Sequence, residues 1–293
     1  MAQSRTYLST ILLILLSVIS GHVSPAYGSE AVARPSFINF KPSGSPIVLC
    51  MASDADGLTW MGTDKGLIVY DGYRDYALFT GTDLQTRISA VLLAGDKMLI
   101  GTDGGLRVAE RHNLRVLPPS GGVRCVRALL QKGSKVVVGG ADGVDLYDLQ
   151  TGKTQVVARR LPQVYSLLDT PHGLLVGTLH GLFVIRHGRV SAVRVGKLAS
   201  QPLVNAMAHA QGGSCWIGTE GALYLYDGHT LQEMPELHSN SIKALCRVNR
   251  TLYIGTDDGL YMITGRQRAV RVCQDIRVPN SLASNIVWAL AKD

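Results

Sequence analysis

Seven residues at one repeated position of the sequence have side chains that could together recognise a polar ligand. They include cations, aromatic rings, an amide and a hydroxyl, a mixture that core packing alone does not require. Aromatic rings stack on the apolar faces of sugars, while Arg, Lys and Asn donate hydrogen bonds to hydroxyl or carboxylate groups. The position therefore predicts a binding site for a sugar or a uronate. Its members are Leu49, Ser89, Arg127, Tyr165, Asn205, Lys243 and Trp288.

A second set of polar residues lies in a turn of the same repeated unit, and we expect it to form an outer rim around the first set. A plain turn role is the alternative for most of this rim, because Asp before Gly is ordinary turn chemistry. For the inner set the alternative is that long side chains fill the space between units while their polar ends reach water. The rim residues are Asp64, Asp103, Asp142, His180, Glu220 and Asp257.

Metal and catalytic chemistry are not indicated by the sequence. The densest histidine group, His172, His180 and His187, is divided between opposite ends of a predicted sheet, so it predicts no metal site. The Asp-rich turn at 54–57 lacks the spaced acceptors and the terminal Glu of a calcium loop. No Ser-His-Asp order, nucleophile elbow or carboxylate pair points to hydrolysis. We therefore predict no catalytic residue, metal or cofactor.

The residues that could bind a ligand are positioned by a unit that occurs six times. Each unit has an anchor glycine, and successive anchors are separated by 39, 38, 38, 41 and 37 residues. A Val or Ile precedes each anchor by 13 or 14 residues, and a small residue follows that Val or Ile two positions later. A period near 40 is typical of propeller blades and of some helical repeats. The anchors are Gly62, Gly101, Gly139, Gly177, Gly218 and Gly255.

The local pattern within each unit indicates strands. The apolar runs are short and are interrupted by Asp-Gly, Gly-Gly or His-Gly, whereas a helical repeat needs apolar spacings of three and four over a longer stretch. In the first unit the pattern predicts strands at about 47–52, 58–63, 67–70 and 73–79. Four antiparallel strands per repeat form a propeller blade. The predicted fold is an all-β propeller of four-stranded blades.

The residues outside the six units predict a partial seventh blade. Residues 37–40 precede the first unit and can form only an outer strand, whereas 286–291 can form only an inner strand. A closed ring of six blades would leave both segments without partners. The sequence therefore predicts six full repeats plus a partial seventh blade that the two ends of the chain share.

The repeat resembles a known family. Residues 60–63 with 70–73, and 216–219 with 226–228, match the pattern Leu-Trp-Ile-Gly-Thr-x-x-Gly-Leu-x-x-Tyr-Asp closely. This pattern resembles the two-component regulator propeller repeat, which is found in the periplasmic sensor region of hybrid two-component histidine kinases. The stretch 280–288 resembles the lead-in to a blade of that family, and the resemblance covers roughly 37–293. The third unit departs from the pattern with Gly139-Gly140, and the fifth with Gly221-Ala222.

The resemblance implies a ligand-sensing propeller like the input domain of a hybrid two-component regulator, binding a carbohydrate or a similar small ligand. Kinase activity is not expected, because no kinase sequence follows Asp293. Two alternatives stay open. One is a protein-interaction platform with Tyr73, Tyr76 and Trp288 as aromatic anchors, and the other is a propeller lyase or glycosidase. Expected partners are an oligosaccharide or other small ligand, a second copy of the chain, or a membrane signalling protein.

The first 28 residues predict export. Arg5 precedes an almost wholly apolar stretch at 7–19, and small residues follow at Ala26 and Gly28, as in a secretory signal peptide. The apolar stretch is shorter than the ~20 residues that span a membrane, although an uncleaved membrane anchor is the alternative. We expect cleavage near Gly28, a mature terminus near Ser29, and a periplasmic or exported sensor domain over 29–293 that is incomplete at its C-terminus.

Charge and cysteine content argue against two further classes of protein. The net charge of +7 becomes +6 without residues 1–28, because Arg5 is their only charged residue. The basic residues are scattered singly, which is unlike a nucleic-acid site. The five cysteines show no repeated pairing and no Cys-x-x-Cys, so neither a disulfide framework nor a zinc site is predicted. They are Cys50, Cys125, Cys215, Cys246 and Cys273.

Overall fold

The computed structural model describes residues 37–45, 47–119, 121–194, 201–237, 240–265, 268–278 and 280–292. Over these ranges the chain forms 23 strands and one short 3₁₀ helix, Pro235–Leu237. Within them, no helix has the length and apolar character needed to cross a membrane. The predicted signal peptide, its cleavage site near Gly28 and the mature terminus near Ser29 lie outside the described residues.

The strands form six antiparallel sheets in chain order. The first sheet has β1 (Val48–Ser53), β2 (Thr59–Thr63), β3 (Gly66–Tyr70) and β4 (Asp75–Leu78). The second and third have β5 (Ile88–Ala94), β6 (Lys97–Thr102), β7 (Gly105–Glu110), and β8 (Ala128–Lys132), β9 (Lys135–Gly140), β10 (Gly143–Asp148), β11 (Thr154–Arg159). The fourth has β12 (Val164–Thr170), β13 (Gly173–Thr178), β14 (Gly181–Arg186) and β15 (Arg189–Val193). The last two have β16 (Val204–His209), β17 (Cys215–Thr219), β18 (Leu223–Tyr226), β19 (Leu231–Glu233), and β20 (Ile242–Val248), β21 (Thr251–Thr256), β22 (Leu260–Thr264), β23 (Val270–Val272).

The six sheets are arranged as propeller blades. The first strands of consecutive sheets pack on one another in the series β1, β5, β8, β12, β16 and β20. In the second blade the outermost position is held by a single bridge between Ala109 and Val116 rather than by a full strand. The predicted all-β propeller of four-stranded blades is confirmed.

Five of the six anchor glycines lie directly beneath the start of the next blade, and the sixth, Gly255, lies beneath the segment at Val287. A Cβ atom on Gly101 would come within 2.7 Å of the Val126 carbonyl oxygen, and one on Gly62 within 2.9 Å of the Ile88 carbonyl oxygen. Only a residue without a Cβ allows this approach. The anchors in chain order pack against Ile88, Val126, Val164, Val204, Ile242 and Val287. The Val or Ile that recurs in the sequence is therefore the residue that packs on the anchor glycine of the preceding blade.

The Thr that follows the anchor glycine in five units fixes the turn between the second and third strands. Its buried hydroxyl donates a hydrogen bond to the carbonyl three residues later, at 2.8 Å from Thr63 to Gly66. The bond satisfies a carbonyl that the turn would otherwise leave unpaired. The same bond is made by Thr102, Thr178, Thr219 and Thr256.

Blades 1 and 2 are joined by a buried carboxylate. The Asp54 side chain is only 3% exposed and contacts the Arg111 guanidinium at 2.7 Å. Burial raises the pKa of Asp54, but hydrogen bonds from the Trp60 indole and from the amides of Leu58 and Asp56, together with the charge of Arg111, outweigh that effect and hold the pKa below its usual value. The Asp-rich turn at 54–57 is therefore a structural tie between blades.

The predicted seventh blade is not shown as a sheet. Neither 37–40 nor 286–291 contains a strand, because neither segment lies beside a second strand with which to exchange ladder hydrogen bonds. The two segments do lie together on the sixth blade. The Phe37 amide donates to the Asn280 carbonyl at 3.1 Å, and Phe37, Leu282 and Val287 are buried against Leu260. The contact between the two ends is present, but the strands expected there are not.

In the described part of the chain, β20 does not pack on β1 as the other consecutive first strands pack on each other. Residues 37–40 lie at the junction between these two blades, with Phe37 packed on the sixth blade and Phe40 on the first. Apolar side chains are exposed on the two terminal segments at this junction. Ile38 is 70% exposed and Trp288 is 43% exposed. Unpaired backbone groups and apolar side chains at a sheet edge favour association between chains.

We predict that the purified chain self-associates through this junction. Multi-angle light scattering over a range of micromolar concentrations should show a mass that rises with concentration. Replacing Ile286, which is 42% exposed, by Lys should reduce the association, whereas Val156→Lys, at a 57% exposed position on β11, should not. A monodisperse, protease-resistant monomer with a high melting temperature would contradict the prediction.

Candidate functional site

The residues that the sequence singled out for ligand binding lie at a β-bulge. In five blades the pairing register shifts between the recurrent Val or Ile and the small residue two positions later, so that the residue between them has no cross-strand partner. Bulges re-aim side chains and are over-represented next to functional sites. The bulged residues are Leu49, Ser89, Tyr165, Asn205 and Lys243. We call these five, together with Arg127 and Trp288, the bulge ring.

Arg127 and Trp288 occupy the same position without lying in an assigned strand. The Arg127 amide donates to the Gly139 carbonyl at 3.0 Å, immediately before β8 begins. Trp288 follows Val287, whose amide donates to the Thr256 carbonyl at 2.9 Å. Val126 makes the equivalent bond to Thr102 at 2.9 Å. Val287 thus takes the position beside the sixth blade that Val126 takes beside the second, although no strand forms at 286–291.

One half of the bulge ring is centred on Arg127. Its guanidinium carbon lies 5.7 Å from the centre of the Tyr165 ring, and Nη1 lies 3.4 Å from the Ser89 hydroxyl. Nη2 is 3.7 Å from the carboxylate of the rim residue Asp103. The Arg127 Nε is buried and has no hydrogen-bond partner among the described residues. Three consecutive blades therefore contribute a cation, an aromatic ring and a hydroxyl to one group.

A second group of bulge-ring residues is centred on Lys243. Its Nζ lies 5.2 Å from the centre of the Trp288 ring and donates to the Ser241 hydroxyl at 2.8 Å. The Ser241 amide donates to the carboxylate of the rim residue Asp257 at 3.2 Å. The nearby Asn205 side chain donates to the Ile242 carbonyl at 2.9 Å. This group repeats the chemistry of the first, with a cation beside a half-exposed aromatic ring.

Both groups have the features of a site for a neutral or acidic sugar. A cation over an aromatic face at an exposed site is worth only about 0.5–1 kcal/mol, so a ligand can displace it at low cost. The rings then offer stacking surfaces and the cations offer donors. Leu49 adds an apolar side chain and makes no polar side-chain contact among the described residues.

The rim residues mostly have turn roles. Asp103 contacts Arg127, Asp257 is linked to Lys243 through Ser241, and Asp64 accepts a hydrogen bond from the Ser45 hydroxyl. Asp142 has a left-handed backbone with φ of 69°. The amides of His180 and Glu220 donate to Thr178 and Leu203, and both side chains are exposed. The structure thus joins two of the six predicted rim residues to the bulge ring.

The described residues show no arrangement suited to metal binding or to thiol chemistry. In the part of the chain that the structure describes, no group of three or more His, Cys, Asp or Glu residues could hold a metal ion. The five cysteines are unpaired. Burial raises the pKa of Cys50 to about 12 and that of Cys215 to about 11. These two thiols are therefore poor nucleophiles at neutral pH.

Sequence reasoning found the position of the ring but missed the pairs within it. Arg127 contacts Tyr165, and Lys243 contacts Trp288, in each case from one unit to the next. The available signal was a cation in one unit followed by an aromatic residue at the same position of the next. The bulge itself has no sequence signature here, because the bulged residues share no side-chain type.

Comparisons with known proteins give relatives of known structure. The chain is similar to the extracellular domain of BT4673 from B. thetaiotaomicron, described in one structure as a putative one component system and in another as a putative hybrid two component system. The first shows 29% identity and a TM-score of 0.78 over 87% of this chain and 37% of that chain. The second shows 30% identity and a TM-score of 0.75 over 84% of this chain and 36% of that chain. No protein-family profile and no curated protein matches the sequence.

A third structure shares the fold. The extracellular domain of the putative hybrid two component system BT3049 from B. thetaiotaomicron has 19% identity and a TM-score of 0.70, over 84% of this chain and 37% of that chain. This chain spans a little over a third of the length of each of these three domains. The resemblance to the propeller of two-component sensor regions, first seen in the repeat, is confirmed, and the similar proteins are extracellular domains.

Proposed function

We propose that this chain is an exported sensor propeller that binds a carbohydrate at the bulge ring and acts by binding, without catalysis. The single observation that carries the proposal is the bulge at one position in five blades. The bulged residues have no cross-strand partner, so their side chains are available to bind a ligand. The similarity to extracellular domains of putative two-component systems supports a sensing role.

The contacts within the ring support a sugar over other small ligands. Tyr165 and Trp288 each present a partly exposed ring, and Arg127 and Lys243 each place a donor beside that ring. A pyranose has an apolar face for stacking and hydroxyl groups at its edge, which matches a ring flanked by donors. Arg127 has the Asp103 carboxylate nearby, and Lys243 is linked to Asp257 through Ser241, so the site does not require an anionic ligand.

We predict that replacing Arg127, Tyr165 and Lys243 together by Ala weakens oligosaccharide binding at least about a hundredfold, because a stacking surface and two charge-assisted donors are lost. Binding should be measured by calorimetry against a panel of neutral and acidic oligosaccharides. The triple variant should keep nearly the same melting temperature, since all three side chains are only partly buried.

A matched control removes the same residue types from exposed positions elsewhere. The variant with Ala at Tyr73, Arg74 and Lys153 should bind as the unaltered chain does, because these residues lie on the hairpins at the other end of the blades. Unchanged affinity in the bulge-ring variant, for any oligosaccharide that the chain binds, would contradict the proposal. So would an equal loss in the control.

A protein-interaction role is the second candidate, and one observation favours it. Tyr73, in the hairpin between β3 and β4, is 91% exposed, and Tyr76, on β4, is 50% exposed. Exposed tyrosines are typical anchors of protein interfaces. A Tyr73→Ser and Tyr76→Ser variant separates the two candidates, since it should abolish capture of a protein partner and leave oligosaccharide binding intact.

A further inference from the structure

A second group of polar residues lies at the opposite end of the blades from the bulge ring. The bulge ring is at the start of the first strands, whereas this group comes from the ends of β8, β12 and β14 and from the turns that follow β12 and β14. It lines a cavity of about 400 Å³, a volume in the range of small-molecule sites. We call Lys132, Asp169, His172, Arg186 and His187 the basic pocket.

The polar atoms of the basic pocket are largely unused by the fold. Lys132 Nζ pairs with the Asp169 carboxylate at 2.8 Å, and Arg186 Nε donates to the His172 carbonyl. Among the described residues, no hydrogen bond is made by the terminal nitrogens of Arg186 or by the ring nitrogens of His172 and His187. The Arg186 guanidinium and the two imidazoles therefore line the cavity with N–H groups that have no acceptor in the described part of the protein.

The His172 imidazole is held in place by the next blade. Its backbone amide donates to the Thr170 hydroxyl at 3.2 Å. A Cβ atom on Gly228 would come within 2.4 Å of the His172 ring, so the ring lies directly on that glycine. The His229 ring meets it edge-on, with 6.0 Å between ring centres. The side chain is thus positioned before any ligand arrives.

We infer that the basic pocket binds a tetrahedral oxyanion, a sulfate or phosphate group, and binds it more tightly as the pH falls. With neutral imidazoles, Lys132 and Arg186 against Asp169 leave one net positive charge. Protonation of both His172 and His187 raises that charge to three, and histidine side chains change charge between pH 5 and 8. The cavity is larger than the anion alone, so it has room for an ester carried on a sugar.

The charged and titratable groups around the two imidazoles are compatible with this inference. The His229 imidazole of the fifth blade, 6.0 Å from that of His172 between ring centres, adds further positive charge when it is protonated. Arg189, at the start of β15, adds positive charge next to His187. Asp227 of the fifth blade is engaged in its own hairpin, where its carboxylate accepts hydrogen bonds from the amides of His229 at 2.8 Å and Thr230 at 2.7 Å. Asp169 is therefore the carboxylate that lines the cavity, and it is neutralised by Lys132.

The test is a titration of the whole chain with sodium sulfate at constant ionic strength, followed by the NMR signals of the histidine side chains. Sulfate carries the same charge at pH 5.5 and pH 8.0, so any difference in affinity arises in the protein. We expect about tenfold tighter binding at pH 5.5, with the largest shifts at His172 and His187.

Two variants separate the contribution of the imidazoles from that of the fixed charges. The His172→Gln and His187→Asn double variant should lose most of the pH dependence, keeping only the part that His229 contributes, and should keep the affinity seen at pH 8.0. Asn suits position 187, where φ is 47°. Lys132→Gln or Arg186→Gln should weaken binding at both pH values. Arg250→Gln, which removes an exposed charge from a different cavity formed by blades 5 and 6, should change neither value.

Three results would overturn the inference: no sulfate-dependent shift at His172 or His187, a pH dependence that is undiminished in the double variant, or an equal loss in Arg250→Gln. A parallel titration with glucose 6-sulfate identifies the source of the anion. Tighter binding of the ester than of inorganic sulfate supports a sulfated or phosphorylated sugar, whereas equal binding supports the free anion.

Discussion

Replacing Gly101 by Ala should lower the free energy of unfolding by about 3 kcal/mol, the upper part of the range for overpacking a core. The added Cβ would lie 2.7 Å from the Val126 carbonyl oxygen and 2.8 Å from Val126 Cγ1. Both atoms belong to the next blade, so relief requires that blades 2 and 3 move apart. Urea unfolding of the variant and of the unaltered chain measures the difference.

A glycine three residues away provides the control. A Cβ on Gly104 would meet nothing closer than the Thr102 hydroxyl at 3.6 Å, which is ordinary contact. Gly104→Ala should therefore stay within about 0.5 kcal/mol of the unaltered chain, as most surface substitutions do. Equal stability of the Gly101 and Gly104 variants would show that the anchor glycines do not set the spacing between blades.

The anchor glycines also explain why the fold was predictable from the sequence. One contact, a glycine beneath the segment that begins the next unit, had to be made six times, so it left a fixed spacing of Gly and Val or Ile along the chain. The turn after Thr63 recurred for the same reason. Features that every blade needs are repeated, and repetition makes them visible in a single sequence.

Features that belong to one blade or to one junction were not predictable in this way. The pairing of Asp54 with Arg111 joins two turns that differ in sequence from their counterparts. The bulge recurs in five blades, yet it could not be predicted either, because it is a shift in backbone pairing that residues as different as Leu49 and Lys243 occupy. The predicted strand at 286–291 failed because a strand requires a neighbour, which alternation along one segment does not specify.

The third blade is the case in which the repeat pattern alone misleads. Gly140 stands where five other blades have the Thr that closes the second turn. The loop before this blade fills the space of the missing side chain, since the Ala141 amide donates to the Arg124 carbonyl at 2.7 Å. Buried Asp145 holds the same loop, accepting the Val123 amide at 2.8 Å and pairing with Arg159 at 2.5 Å.

Gly140→Thr, which restores the repeat pattern, should therefore destabilise the chain by about 2 kcal/mol. A Cβ at this position would lie 2.3 Å from the Arg124 carbonyl oxygen and 3.0 Å from Val123 Cγ2. The loop at 121–125 would have to move away from the turn at Gly140. This movement would expose to water the hydrogen bond that the Val123 amide donates to Asp145. Thermal and urea unfolding should both show the loss.

The opposite substitution, Thr178→Gly in the fourth blade, is the comparison for Gly140→Thr. Thr178→Gly removes the hydroxyl that donates to the Gly181 carbonyl at 2.9 Å and should cost about 1 kcal/mol. If the pattern itself determined stability, Gly140→Thr would gain about what Thr178→Gly loses. We expect both variants to be less stable than the unaltered chain, because each position is matched to its own neighbours. A rise in the unfolding midpoint of Gly140→Thr would show that the loop at 121–125 can move aside without loss of stability.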